Sequence, residues 1–242
     1  MRPIIAANWK MNLTKDNVDD WVMRINQLDG LADKVSLVVC PSHCYLTVLQ
    51  AGLSWGSVGA QHISQYSEGA YTGEHAATMV KSCGAQYVLV GHSERRQIFN
   101  ETNAEIKAQL EQCQKSGLMP ILCVGETLNE RKMGQFEAVI LSQLSVLDGH
   151  IGPIMIAYEP VWAIGTGETA TPELANQAHA FVRQHVDASI SLLYGGSVNA
   201  DNCEGLLKMP CIDGALIGGA SLKPDVFSDI LKLSSTLIEA LP

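Results

Sequence analysis

Short apolar runs recur along the chain, with longer amphipathic segments between them. The runs are four to six residues long and begin about 30 residues apart, the length of one strand, one helix and two short loops. They are continuously apolar rather than alternating, as is typical of parallel strands covered on both faces. We therefore predict eight strands, at residues 4–7, 35–40, 57–60, 87–90, 120–124, 154–158, 190–194 and 214–217.

The segments between the runs have the periodicity and the terminal signals of helices. Apolar residues step by three or four, as on one face of a helix, in two stripes formed by Val18, Trp21, Val22, Ile25 and Leu28 and by Met133, Phe136, Ile140, Leu144 and Leu147. Three helix starts are marked by a threonine in the N-cap position. Thr102 and Thr127 are each followed three residues later by a capping-box glutamate, Glu105 and Glu130, and Thr171 is followed directly by Pro172. We expect the helix after Thr102 to end at Gly117.

Eight strand–helix units in 242 residues predict an α/β protein, a closed (β/α)8 barrel of eight parallel strands that occupies residues 1–242 as a single domain. An open, doubly wound sheet would give the same strand and helix signals. Residues 165–170 favour that alternative, because they match the dinucleotide-binding pattern G-x-G-x-x-G/A. The match begins six residues past Glu159, whereas the fingerprint needs its first glycine at the strand-to-helix turn. We interpret it as a coincidence.

The composition indicates a large core and restricts the partners. Apolar residues make up 47% of the chain and charged residues 17%, which excludes wholesale disorder. The formal charge is −9 and no basic run interrupts it, so neither nucleic acid nor an anionic membrane is expected as a partner. No apolar stretch is long enough to span a bilayer, and the run before Asn8 is too short for a signal peptide. We expect a cytoplasmic protein.

The cysteines and histidines give no sign of a metal site. The seven cysteines form no C-x-x-C and most lie in apolar surroundings, which predicts reduced thiols. None of the seven histidines forms H-x-x-x-H or H-E-x-x-H, so no metal is predicted.

In a barrel, the residues that follow the strands share one rim, and the candidate chemistry lies there. The rim positions carry a cation, an imidazole, a carboxylate and two glycine pairs: Asn8 and Lys10 after the first run, His92 after the fourth, Glu159 after the sixth, and Gly195–Gly196 and Gly218–Gly219 after the last two. Glycine pairs leave backbone N–H groups open to an anion, and barrels commonly bind phosphate after strands seven and eight. We therefore predict a phosphorylated ligand.

Each rim residue also has an ordinary structural interpretation, such as a tight turn, a solvated charge or a hydrogen-bonded histidine. Their common location favours catalysis, with Glu159 as a base and His92, at an expected helix start, as a neutral hydrogen-bond donor. Lys10 would then lie near a substrate anion. Residues 160–167 are apolar between a proline and two glycines, which predicts either a lid or a packed loop.

Seven segments spread from the first predicted strand to the last resemble the triosephosphate isomerase family. They are NWKMN at 8–12, YTGE at 71–74, GHSERR at 91–96, CVGE at 123–126, residues 157–167, YGGSV at 194–198 and GGAS at 218–221. The resemblance implies a TIM barrel that interconverts dihydroxyacetone phosphate and D-glyceraldehyde 3-phosphate, in glycolysis and gluconeogenesis, without a metal or an organic cofactor.

The resemblance also implies a role for individual residues. Glu159 would move a carbon-bound proton by way of an enediolate, while neutral His92 and charged Lys10 stabilise the oxyanion and Asn8 orients the substrate. The phosphate would lie on the backbone of Gly165, Ser197, Gly218 and Gly219. Two further residues, Glu94 and Cys123, would lie around the catalytic groups.

Members of the family are homodimers, which implies an interface through the polar loop from Gln61 to His75. Its tip, around residues 71–73, would insert into the partner near Asn8 and Lys10. His75 departs from the aliphatic residue expected there, and Ala7 from the usual glycine. Two alternatives stay open: an aldolase that uses Lys10 as a Schiff base, and a phosphate-binding dimer without turnover.

Overall fold

The strands close into a barrel. The computed structural model describes residues 2–163 and 170–237. Its strands are β1 (Ile4–Asn8), β2 (Ser36–Cys40), β3 (Ser57–Ala60), β4 (Tyr87–Val90), β5 (Met119–Val124), β6 (Met155–Tyr158), β7 (Ser191–Tyr194) and β8 (Gly214–Ile217). Each pairs in parallel with the next, and β8 pairs with β1. The predicted closed barrel is confirmed, and the open doubly wound sheet, which would leave two edge strands, is excluded.

Helices connect the strands and surround the barrel. They are α1 (Lys15–Asn26), α2 (Leu46–Gly52), α3 (Ala77–Ser82), α4 (Ser93–Ile98), α5 (Asn103–Ser116), α6 (Leu128–Lys132), α7 (Phe136–Leu144), α8 (Pro172–Gln184), α9 (Ala200–Leu207) and α10 (Pro224–Thr236). The predicted ends of α5 are confirmed, because the Thr102 side chain accepts from the N–H of Glu105 and Gly117 adopts the left-handed conformation. Thr171 likewise caps α8.

One predicted helix is wrong in its extent. The capping box at Thr127 starts α6, but this helix ends at Lys132 and α7 begins only at Phe136. Gly134, with φ +67°, separates them. Met133 is therefore 63% exposed instead of continuing the buried stripe. The spacing of apolar residues alone does not show that a glycine within the segment leaves helical geometry.

The core has two layers, which explains why the strands are apolar at every position. One layer fills the barrel interior and includes Ile4, Ala6, Val38, Cys40, Leu89, Ile121, Cys123, Ala157, Leu193 and Leu216. The larger layer lies between the strands and the helices. Because successive side chains of a strand point to opposite faces, Asn8 and Glu159 continue the interior rows of Ala6 and Ala157. Two functional candidates are thereby directed into the mouth of the barrel.

Within the described residues, no helix has the length and apolar character needed to cross a membrane.

Candidate active site

A cavity of about 270 Å³ opens at the carboxyl ends of the strands. It is lined by Asn8, Lys10, His92, Glu159, Gly195, Gly196, Ser197, Val198, Leu216, Gly218, Gly219 and Ala220. The structure thus brings together the four predicted catalytic residues and three of the four predicted phosphate-site residues. Gly165, the fourth, lies outside the described residues. Glu94 and Cys123 do not line this cavity.

Glu159 follows β6 and is almost completely buried, at 2% exposure. Its Oε1 lies 2.9 Å from Nε2 of His92, and its Oε2 accepts a hydrogen bond of 2.9 Å from the backbone N–H of Ser93. Burial raises the pKa of the Glu159 carboxyl, but His92, the Ser93 N–H and Lys10 lower it, and the net direction is downward. The carboxylate is therefore ionised at neutral pH, as a base requires.

His92 is the N-cap residue of α4 and is also buried. Its Nδ1 accepts a 3.2 Å hydrogen bond from the N–H of Glu94, which assigns the proton of a neutral ring to Nε2. Burial lowers the pKa of His92 and the Glu159 carboxylate raises it, with a net increase while the two groups are in contact. The ring can thus donate from Nε2 towards the cavity.

Lys10 has an unusual backbone that several side chains hold in place. Its φ is +52°, a left-handed conformation that is rare for a residue with a Cβ. The Lys10 carbonyl accepts from Gln61 Nε2 at 2.8 Å and from Ser42 Oγ at 3.2 Å, and its N–H donates to Asn8 Oδ1 at 3.0 Å. The ammonium group lies 2.8 Å from Oε1 of Glu94. These contacts stabilise the backbone conformation and direct the cation to the rim.

Two contributors were not predicted from the sequence. Gln61, treated only as the start of a polar loop, bridges the carbonyls of Lys10 and Cys40 with its amide. It follows β3 directly and so occupies the kind of rim position in which the other candidates were found, which is the signal that could have identified it. Ser93 contributes its backbone N–H, which no side-chain pattern indicates.

The glycines at the rim differ in the room that a side chain would have. A Cβ on Gly195 would lie 2.9 Å from Cγ of Glu159 and would displace its side chain. A Cβ on Gly218 would lie 3.5 Å from Cε of Lys10. Gly219 has no heavy atom within 4 Å of such a Cβ, so its open side faces free space. A short 3-10 helix, Gly219–Leu222, begins at this turn.

The segment after β6 is anchored to Glu126. The carboxylate of Glu126, which is fully buried, accepts from Trp162 Nε1 at 3.0 Å and from the Tyr158 hydroxyl at 3.0 and 3.1 Å. Ser197 Oγ donates to the carbonyl of Ala163 at 2.9 Å. Hydrogen bonds therefore hold Trp162 and Ala163, in the first part of the predicted lid. Its residues 164–167 lie outside the described part of the chain.

Cys123 lies in the barrel interior, where burial and the Glu159 charge raise the pKa of its thiol well above the usual value. It is an uncharged neighbour of the site rather than a nucleophile. Across residues 2–163 and 170–237, no group of three or more His, Cys, Asp or Glu side chains is arranged to hold a metal ion.

Comparison with known proteins identifies the family of this chain. The family model described as triosephosphate isomerase matches residues 3–234. Proteins named triosephosphate isomerase from Marinobacter nauticus and Halorhodospira halophila are each 47% identical to this chain, over 244 and 243 residues, covering 96% and 95% of it and 97% and 96% of their own lengths. One from Colwellia psychrerythraea is 43% identical over 245 residues, covering 94% of this chain and 95% of its own. The chain belongs to the triosephosphate isomerase family.

Proposed function

We propose that the cavity at the carboxyl ends of the strands is where this chain carries out the reaction of its family, the interconversion of dihydroxyacetone phosphate and D-glyceraldehyde 3-phosphate. The observation that carries the proposal is the contact between Glu159 and His92, an ionised base beside a hydrogen-bond donor in a buried cavity. A carbon acid next to a carbonyl needs both, because a base alone contributes about 10²- to 10⁴-fold.

Glu159 acts as the base. Its carboxylate takes a proton from the carbon beside the carbonyl, the electron pair of the broken C–H bond enters the new C=C bond, and the carbonyl oxygen becomes an oxyanion. In the resulting enediolate, the hydroxyl on the deprotonated carbon gives its proton to this oxyanion, so the negative charge passes to the other oxygen. The carboxylic acid of Glu159 then returns its proton to the former carbonyl carbon, and the charged oxygen becomes the new carbonyl. Glu159 begins and ends the cycle ionised, so no co-reactant is needed.

His92 and Lys10 stabilise the oxyanion. To reach the substrate carbon, the Glu159 carboxylate leaves the 2.9 Å contact with Nε2 of His92. His92 then loses the stronger of the two anions that raise its pKa. Glu94 still raises this pKa, but burial, the largest effect, and Lys10 lower it. The ring therefore donates from Nε2 as a neutral imidazole. Lys10 supplies a fixed positive charge, and Asn8, whose Oδ1 is engaged by the Lys10 N–H, orients the substrate with its amide.

The phosphate binds at the glycine turns. A chain of formal charge −9 needs a local group of donors to hold an anion. Gly218, Gly219 and Ser197 line the cavity together with Glu159, and we assign the phosphate to their backbone N–H groups, with Gly165 included by resemblance. By resemblance, the predicted lid at residues 160–167, of which 164–167 lie outside the described ranges, would exclude water from the bound substrate, which would strengthen each electrostatic contact.

The active form is a homodimer through the loop from Gln61 to His75. Two large apolar side chains close to Lys10 are exposed in one protomer, namely Met11 at 94% and Phe99 at 63%. A second cavity of about 350 Å³ adjoins Lys10 and is bordered by Met11 and Phe99. The loop is closed by a 2.9 Å hydrogen bond from the Ser64 N–H to the His75 carbonyl. Its tip, residues 71–73, would fill the partner's second cavity.

A coupled assay in both directions, with and without a chelator, tests this function. The wild-type chain is expected to interconvert the two triose phosphates at a rate that chelation does not change, and Glu159→Gln to lose this activity. An inactive wild type would refute the proposal. Borohydride trapping of Lys10 by substrate would instead favour the aldolase alternative.

A cytoplasmic location stays a prediction.

A further inference from the structure

We infer that His179, on α8, is a positioning residue for the isomerisation. It lies outside the cavity and packs against Tyr158 and Tyr194, the last residues of β6 and β7. Through them it fixes the place of Glu159 and of Gly195. The inference rests on the role of Glu159 proposed above.

The ring of His179 is fully buried and contacts both tyrosines. Its centroid lies 5.6 Å from that of Tyr158, edge-on at 84°, and 6.1 Å from that of Tyr194 at 41°. Tyr158 and Tyr194 are paired in register in the barrel. One side chain of α8 therefore contacts the ends of two adjacent strands.

The residues after these tyrosines have little freedom to move. The Gly195 N–H donates to the Tyr158 carbonyl at 2.7 Å, and the Glu159 N–H donates to the Val124 carbonyl at 2.7 Å. A Cβ on Gly195 would approach Glu159 Cγ at 2.9 Å, so the two strand ends already meet closely. A shift of either tyrosine would move the carboxylate relative to the phosphate turns.

Packing alone does not explain an imidazole at this position. Nδ1 lies 2.8 Å from the carbonyl of Ala175, one turn earlier on α8, which fixes the orientation of the ring. Nε2 is buried and has no hydrogen bond of normal geometry within the described ranges. Burial lowers the pKa of His179, against the opposing effects of the Ala175 and Leu193 carbonyls, and keeps the ring neutral. The Ala175 carbonyl thus holds a flat, neutral ring against both tyrosines, an orientation that an aliphatic side chain of similar size does not reproduce.

The expected consequence is a loss of rate without a loss of binding. Misplacing a base by a fraction of an ångström reduces the chemical step, whereas the phosphate turns are untouched. For His179→Leu, which removes the ring at similar volume, we expect kcat to fall about tenfold or more, while KM and the inhibition constant of inorganic phosphate change less than about twofold. His179→Phe restores a flat ring and should recover most of the lost kcat.

The matched control is Val182→Ala on the same buried face of α8. It disturbs the packing of that face by leaving a cavity, but it should keep the wild-type kcat. An unchanged kcat in His179→Leu, no recovery in His179→Phe, or an equal loss in Val182→Ala would each overturn the inference. Should His179→Leu not fold, His179→Gln, which also lacks the ring, replaces it with the same expected deficit. Measuring Glu159→Gln in parallel separates the two claims: if that variant stays active, the proposed function itself fails.

Discussion

Oε1 of Glu159 lies 2.9 Å from Nε2 of His92, although β5 separates the two strands that these residues follow. The two side chains meet across β5 because both lie at the same rim of the barrel and point into its mouth. The Ser93 N–H donates to the second carboxylate oxygen, so the carboxylate that we propose as the base is ionised and held in place. The proposed mechanism requires Glu159 to exchange these two partners for a carbon-bound proton.

Shortening the base is expected to slow the chemistry. Glu159→Asp withdraws the carboxylate by about one methylene, which should lower kcat on the order of 10²-fold and leave the inhibition constant of inorganic phosphate nearly unchanged. Steady-state kinetics with phosphate as competitive inhibitor measures both quantities. Turnover equal to that of the wild type would remove Glu159 from the role of base.

Removing the cation at the rim is expected to affect binding and rate together. Lys10→Met keeps the length of the side chain but eliminates the charge that lies 2.8 Å from Glu94 in the free protein. We expect KM to rise and kcat to fall, each by about tenfold or more, because both the substrate anion and the oxyanion lose a partner. Lys15→Met, which removes an exposed lysine paired with Asp19, is the control and should have wild-type kinetics. A fully active Lys10→Met would show that the required charge lies elsewhere.

Two glycines at the rim should respond differently to the same added methyl group. Gly195→Ala would press on Cγ of Glu159, so kcat should fall by about tenfold or more while phosphate still binds. Gly219→Ala meets no heavy atom within 4 Å, so it should fold normally yet raise KM by covering the open side of the anion site. Gly30→Ala, also in open space but distant from the rim, is the control. Equal kinetics for Gly195→Ala and Gly30→Ala would contradict the close approach of Gly195 to the base.

Stability should decline in mild acid, partly through His43. Burial lowers the pKa of His43 below 6.5, as do the nearby charges of His75, His62 and Arg95, against a hydrogen bond to the His62 carbonyl. The unfolded chain then binds a proton more readily than the folded chain. The contribution of neutral His43 to the free energy of unfolding is therefore complete above pH 6.5. It is lost as the pH falls from 6.5 towards the lower pKa that His43 has in the folded chain.

His43→Gln should flatten this acid decline. Its stacking partner His75, at 4.2 Å between ring centroids, stays in place. Urea denaturation of the wild type and the variant between about pH 5 and pH 8 gives the two profiles. Parallel profiles would show that His43 makes no such contribution.

Most of the fold could be predicted from the sequence because each strand is buried on both faces. Continuous apolar runs and capping residues such as Thr102 are local signals, and they give the positions of the strands along the chain and the ends of α5. The break between α6 and α7 is different. It depends on the left-handed conformation of Gly134, and the apolar stripe continues past it in sequence although the helix does not.

The candidate site was predictable only as far as it depends on the identity of rim residues. The positive φ of Lys10 is stabilised by Gln61 and Ser42, which come from other loops, and the sequence around Lys10 does not indicate these contacts. The contact between Glu159 and Ser93 uses a backbone N–H, a group that every residue but proline has. Such contributions depend on three-dimensional placement and not on residue type.

Deuterium incorporation from solvent tests the role of Glu159 most directly. Triose phosphate is incubated with the protein in D2O, and NMR follows both isomer interconversion and deuterium at the carbon beside the carbonyl. With the wild type, the two isomers should interconvert and carbon-bound deuterium should appear, because the protonated carboxyl of Glu159 exchanges with solvent before it returns its proton. With Glu159→Gln, both processes should fall by about 10³-fold or more while phosphate still binds. Incorporation at the wild-type rate in Glu159→Gln would contradict the assignment of the base and, with it, the proposed chemistry of the cavity.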